Sequence, residues 1–195
     1  TPNAATVRGY QMGDPLSWIH WPISARRDSL YVREFDQDAA GDIWILLDCQ
    51  ADVQLGKGAA GTIEQAILLG AALAVQALRK NRAVGLAGYG RSPQIVYTGK
   101  GAGQQWRILR ALALLDAEGS TSLQAAMQDL SRIAKRGTAV IIITPTGRAD
   151  WLPELVRLTQ RGAESHVVLL DRQSFGGEEN SAGLKTAVRQ LGFPC

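Results

Sequence analysis

The sequence predicts an α/β fold: a doubly wound, mostly parallel sheet with helices on both faces, an antiparallel edge strand and an N-terminal extension. Three observations carry this reading. Apolar runs of strand length, bounded by turn signals, alternate with stretches of helical periodicity. The run at 43–47, IWILL, is apolar throughout, as expected for a strand covered on both faces. Two further runs, 83–87 and 94–97, are separated by Gly88, Gly90 and Pro93 and read most simply as an antiparallel edge pair joined by a short turn.

Taken in order, strand 43–47 leads to a helix over 62–80. Thr62 is placed to cap its start, and Arg79 and Lys80 suit the negative end of its dipole. Its Ala and Leu content is high nearly all round, which predicts a well-buried helix. After the edge pair come helices over 104–115 and 121–136, with Ser120 or Thr121 as the second cap and Gly137 as a stop. Strand 139–143 follows. The helix over 150–160 has Pro153 in its first turn, where a missing N–H does no harm. Strand 167–170 and a closing helix over 181–191 complete the order β-α-β-β-α-α-β-α-β-α.

A chain of 195 residues suits one sizeable core. With 46% hydrophobic and 20% charged residues the composition is that of a globular protein and excludes disorder. Residues 1–38 read as a lead-in segment packed on the core, and 39–195 as the α/β domain. The longest apolar-looking run, 66–77, is interrupted by Gly70 and Gln76 and is too short to cross a bilayer, and no signal-peptide pattern opens the chain. A start at Thr1 without Met suggests a processed protein or an excised domain. The expected location is the cytoplasm, alone or as the soluble part of a membrane-anchored parent. Cys49 and Cys195 form neither a disulfide framework nor a metal knuckle, and read as a small buried residue and a free tail thiol.

The lead-in is dense in Trp, Arg and Gly. Arg8 and Tyr10 precede a Gly13-Asp14 turn, followed by Ile19-His20-Trp21, Ser24-Ala25-Arg26 and the strand-like LYVREF at 30–35. This order resembles the family catalogued as domain of unknown function number fifty-eight, with its R-x-Y-x-x-G-D turn, I-[DH]-W step, S-A-R and V-R-E strand. The resemblance continues through WILLD (44–48), AVGLAGYG (83–90), GQQWRILRALALL (103–115) and IITPTG (142–147), and so covers nearly the whole chain. It departs at Ser17 and Trp18, where many relatives carry Arg. The family's core looks like a von Willebrand factor A domain, and its genes commonly neighbour a MoxR-type AAA+ ATPase. The resemblance therefore implies a bacterial interaction module, partnered with such an ATPase in a chaperone-like role.

In doubly wound sheets ligands gather beyond the C-terminal strand ends, where loops 48–61, 119–122 and 144–150 should meet. A von Willebrand A domain places Mg²⁺ there, with an Asp-x-Ser-x-Ser loop, a Thr and a second Asp. This chain keeps Asp48 but reads Asp48-Cys49-Gln50-Ala51-Asp52, matches the Thr with Thr121, and has Pro145-Thr146 where the last Asp would stand. The resemblance thus implies a degenerate metal-ion-dependent adhesion site of Asp48, Gln50, Asp52 and Thr121, with Mg²⁺ as its ion. The changed ligand lengths favour hydrogen-bonded loop caps at Asp48 and Thr121 instead.

Other chemistry is sparse. Residues 56–61 spell G-x-G-x-x-G, but the glycines begin eight residues after Asp48, and no acid follows in 83–90 to hold a ribose. His20 and His166 lack metal spacing, no G-x-S-x-G elbow is present, and Glu34, Asp36, Asp38 and Asp42 read as a solvated turn. The pI of about 9.1 raises nucleic acid as a partner, yet residues 1–38 hold four Arg against five acids, and the remaining cations concentrate at helix ends. Trp18, Trp21, Arg26 and Arg27 are the candidate protein-binding residues, since aromatic and Arg side chains dominate binding hot spots. The expectation is a non-enzymatic adaptor or assembly domain. The alternative is a metal-dependent hydrolase or small-ligand binder using Asp48, Asp52 and Thr121.

Overall fold

The computed structural model describes residues 6–14, 16, 19–27, 29–34, 41–178 and 180–195. The chain forms two compact units, Thr1–Ala39 and Ala40–Cys195.

In the first unit, β1 (Thr6–Gly9) pairs antiparallel with β2 (Tyr31–Glu34), and Ile19 bridges to Val32. Between them lies the short helix α1 (Trp21–Arg27). The motif residues hold this unit together. Arg8 grips Asp14 through two hydrogen bonds of 2.8 and 2.9 Å, and the Gln11 N–H donates to the same carboxylate. The Arg8 bonds, aided by Gln11, lower the Asp14 pKa to about 2. The Tyr31 N–H donates to Ser24 Oγ at 2.9 Å, and the Ile23 N–H donates to His20 Nδ1 at 3.3 Å. Ser24 and His20 are therefore structural, and Arg27 stacks over the Tyr31 ring.

The second unit is built on a five-stranded sheet of β3 (Ile43–Leu47), β4 (Val84–Tyr89), β5 (Pro93–Gly99), β6 (Ala139–Thr144) and β7 (Glu164–Leu169), in the order β5-β4-β3-β6-β7. All pairings are parallel except β4 with β5. This is the predicted doubly wound sheet with its antiparallel edge. Alternation along β3 sorts the core into two layers. Ile45 and Leu47 face α2 (Thr62–Arg79) and α3 (Gly101–Ala113), meeting Ala66, Ala74, Ile108 and Leu112. Trp44 and Leu46 face α4 (Leu123–Ile133), α5 (Leu152–Gln160) and α6 (Ala182–Gln190), meeting Met127, Trp151, Leu155 and Val188.

Local details correct the sequence reading. Gly61, not Thr62, occupies the cap of α2. The Thr62 hydroxyl instead donates to Gln54 at 2.7 Å and accepts from the Leu55 N–H at 3.0 Å, which ties the preceding loop to the helix. Helix α2 is not buried all round. It seats the stripe Ala66, Gly70, Ala74 and Leu78, whose small side chains permit close approach, and this turns Leu68 outward at 60% exposure. The cap of α4 is Ser122, whose Oγ accepts from the Ala125 N–H at 3.2 Å, rather than Ser120 or Thr121. Helix α3 begins at Gly101, earlier than predicted, because Gly101 and Gly103 are weak helix formers that hide the start. Strand β7 begins at Glu164, whose polar neighbours are tolerated because an edge strand keeps one side open.

The β4–β5 ladder shifts register between Val84 and Leu86. Gln104 fills the gap: its Nε2 donates to the carbonyls of Val84 and Tyr97, both at 2.7 Å. Gln104→Ala leaves these acceptors without that donor, one of them buried. A loss of roughly 1–3 kcal/mol is expected in urea denaturation.

Candidate functional site

Loops from three strands meet at the C-terminal end of the sheet. Leaving β3, Asp48 is buried; its carboxylate accepts from the Thr144 hydroxyl at 2.6 Å and from the Gln50 N–H at 3.1 Å. Thr144, the last residue of β6, is itself fixed by the Thr146 N–H at 3.0 Å. Gln54 Nε2 donates to the Asp48 carbonyl at 2.8 Å. Gln50 does not present its backbone to a ligand, because it bridges Gly119: the Ala51 N–H donates to Gly119 O at 2.9 Å and the Gly119 N–H to Cys49 O at 3.0 Å. Thr121 lies half-buried two residues beyond that bridge. Asp52, on the rim, pairs with Arg148 at 2.8 Å. Arg172, in the turn after β7, donates to Val53 O at 2.8 Å and to Pro145 O at 3.4 Å, and so straps the first loop to the third.

Burial raises the Asp48 pKa above its ordinary 3.8; the Thr144 and Gln50 hydrogen bonds pull it down, and the Asp52 and Asp150 charges push it up. Burial, with help from Asp48, pushes the Cys49 thiol up to about 12, so it is no nucleophile. The raised Asp48 pKa fixes a sign. The folded chain holds this proton more tightly than the unfolded chain, so its contribution to stability is greatest below 3.8 and falls as pH rises through the higher folded value. Asp48→Asn removes the titration. Urea denaturation should show the stability difference shifting in favour of Asp48→Asn as pH rises over that interval, by roughly 1.4 kcal/mol for each unit of upward shift. An unchanged difference would refute the assignment.

Mg²⁺ asks for several oxygens in near-octahedral geometry. Here both Asp48 oxygens receive protein donors, Asp52 is neutralised by a guanidinium, and the third loop supplies hydroxyls and an N–H. Among the described residues no three His, Cys, Asp or Glu gather as a metal cluster. The residues present do not fit a divalent cation. Of the four expected ligands, Asp48 and Gln50 are joined by a hydrogen bond, the Gln50–Gly119 bridge ties in the loop that carries Thr121, and Asp52 turns to Arg148. Sequence reasoning missed Thr144, Arg148 and Arg172. Thr144 had a signal, a hydroxyl at the end of a buried strand within IITPTG; Arg172 had none.

The other candidate set is on the first unit. Trp21 is 64% exposed, and Arg26 and Arg27 are exposed beside a cavity of about 410 Å³ also lined by Val7, Ile23 and Tyr31. Trp18 lies outside the described residues. Among the described residues no helix is long and apolar enough to cross a membrane.

The chain is 23% identical over 171 residues to YeaD of Bacillus subtilis, a protein described as uncharacterized, covering 87% of this chain and 40% of that one. It spans about half the length of a matching protein of Mycobacterium bovis, 53%. Among solved structures, proximal thread matrix protein 1 from the mussel byssus is similar in fold, with a TM-score of 0.50 at 10% identity, over 78% of this chain and 46% of that one. The von Willebrand factor type A from Catenulispora acidiphila matches with a TM-score of 0.43 at 12% identity, over 78% of this chain and 42% of that one. A family model aligns from β1, through the Arg8–Asp14 turn and the Asp48 loop, to the turn that carries Arg172, residues 6–174. The chain therefore belongs to the family described as Protein of unknown function DUF58.

Proposed function

We propose that the chain is a protein-interaction module, with a second unit of von Willebrand A type, that works without a metal ion and without catalysis as an adaptor for a MoxR-type AAA+ ATPase. One observation supports this above the others: Asp48, Asp52 and Arg172 at the sheet end are each engaged by groups of the protein itself. Asp48 is held by Thr144, Asp52 by Arg148, and Arg172 braces two loops. A reaction centre needs an acid, base or nucleophile left poised for substrate; a set of mutually bonded groups makes a stiff platform, which suits docking because little ordering remains to be done on binding. The ATPase is the partner implied by family resemblance. Trp21, Arg26 and Arg27 supply an aromatic and cationic surface of the kind that anchors interfaces.

The test is biolayer interferometry of the chain against the purified MoxR-type ATPase of its source, in Mg²⁺ and in EDTA. Binding is expected in both buffers, retained by Asp48→Asn and weakened about tenfold by Trp21→Ala combined with Arg26→Ala. Absence of binding in both buffers would refute the adaptor. Binding in Mg²⁺ that Asp48→Asn abolishes would restore the metal site.

A further inference from the structure

The second unit carries a concavity that shares no lining residue with the sheet-end crevice. It is a groove of about 500 Å³ between edge strand β5 and helix α3, lined by Ile95, Tyr97, Arg107, Arg110 and Leu114 among others. Its walls combine two features. On α3 and at its C-cap, Trp106, one helical turn before Arg110, and Leu114 are exposed; on β5 the side chain of Val96 faces the helix, whereas the Tyr97 ring packs edge-on to Trp44 on the opposite face of the sheet. Such aromatic and aliphatic side chains beside a concavity mark an interaction site more often than scattered surface residues do. Between them stand two exposed guanidiniums, Arg107 and Arg110, with no ion pair among the described residues, and no carboxylate lines the groove.

We propose that the groove between β5 and α3 is a docking site for an acidic peptide segment of a partner protein, one whose carboxylates alternate with apolar side chains. The charge argument selects the partner. Two unpaired cations in a wall with no other charged side chain leave an acidic ligand favoured and a basic one repelled. Two cations are too few to track a phosphate backbone, so nucleic acid is not the occupant. The mode of docking follows from the edge. The Tyr97 carbonyl is already taken by Gln104 and the ladder shifts register nearby, so a partner strand cannot simply extend the sheet along β5. The segment binds through its side chains instead: apolar groups enter against Val96, Ala111 and Leu114, and carboxylates meet Arg107 and Arg110. This inference stands whether or not the sheet-end platform binds an ATPase.

The experiment is an NMR titration of the ¹⁵N-labelled chain with three short synthetic peptides. In the first, Glu alternates with Phe and Leu; in the second, Lys replaces Glu; in the third, Ser replaces Phe and Leu. The first should give saturable shifts at amides of residues 94–98 and 104–114, and the other two should bind at least about tenfold more weakly. Arg107→Glu combined with Arg110→Glu should weaken the first peptide about tenfold and improve the Lys peptide, with Arg110→Ala as the milder variant if the double change unfolds the chain. Equal binding of the Lys peptide, shifts elsewhere on the molecule, or no saturable shift would overturn the proposal. So would sedimentation showing a dimer that Trp106→Ser abolishes, because the face would then belong to a second copy.

Discussion

Gly119→Ala is expected to cost roughly 3–5 kcal/mol of stability. A Cβ at this position would fall on the Tyr89 carbonyl oxygen and lie 2.7 Å from that of Cys49. These are backbone atoms of β4 and of the loop after β3, so neither moves aside as a flexible side chain would. Relief requires the 119–122 loop to withdraw. That breaks the bonds from Gly119 N–H to Cys49 O and from Ala51 N–H to Gly119 O, leaving backbone groups unpaired in a buried setting. Urea denaturation measures the loss, and hydrogen exchange at residues 49–54 should rise with it. Gly183→Ala is the control: it lies in α6, nothing stands within 4 Å of its added methyl, and it should stabilise by about 0.5–1 kcal/mol. A Gly119→Ala protein as stable as its parent would mean that the two loops are not joined in this way.

Trp151→Ala should cost a similar roughly 3–5 kcal/mol, through a different mechanism. Trp151 is fully buried between α4, α5 and the sheet, in the layer that holds Met127 and Leu155. Its truncation leaves a cavity that close-packed neighbours cannot fill. Its Nε1 also donates to the Arg148 carbonyl at 2.8 Å, and Arg148 holds Asp52 at 2.8 Å. The indole thus fixes the crevice rim from beneath. Trp151→Phe keeps most of the volume but loses the hydrogen bond, so it should cost less than Trp151→Ala in thermal denaturation while still loosening the 146–150 loop in hydrogen exchange. If Trp151→Phe leaves that loop unchanged, the indole N–H does not position Arg148.

The order of elements along the second unit and its antiparallel edge were legible because they rest on features that local sequence carries. A run such as IWILL, five apolar residues with two β-branched, fits a strand buried on both faces, and the short span between 87 and 94 is read most simply as the turn to a neighbouring edge strand. The position of Asp48 followed from the same reasoning, since a buried strand must release its chain at the sheet end. What local sequence does not carry is convergence. Thr144 meets Asp48 across 96 positions and Arg172 meets Val53 across 119, and neither spacing has a periodicity to announce it. Sequence also did not say which tryptophan is inside: Trp151 is buried whereas Trp21 and Trp106 face outward. Burial there depends on what packs above each helix, not on the residue. Leu68 makes the same point in reverse, because α2 needed its small residues against the sheet and left a leucine on the outside.

The Arg172 strap sets an order of events during synthesis. The strands that form the centre of the sheet, β3, β4 and β6, are complete once residue 144 has been made, but the first loop stays without its tie to the third until Arg172 has emerged as well. Chains are made from the N-terminus, so a nascent molecule passes through a stage in which the sheet has its central strands and the loops at its end are still loose. The platform is finished only once Arg172 has been added, and a product truncated before it would present the same surface in a slack form.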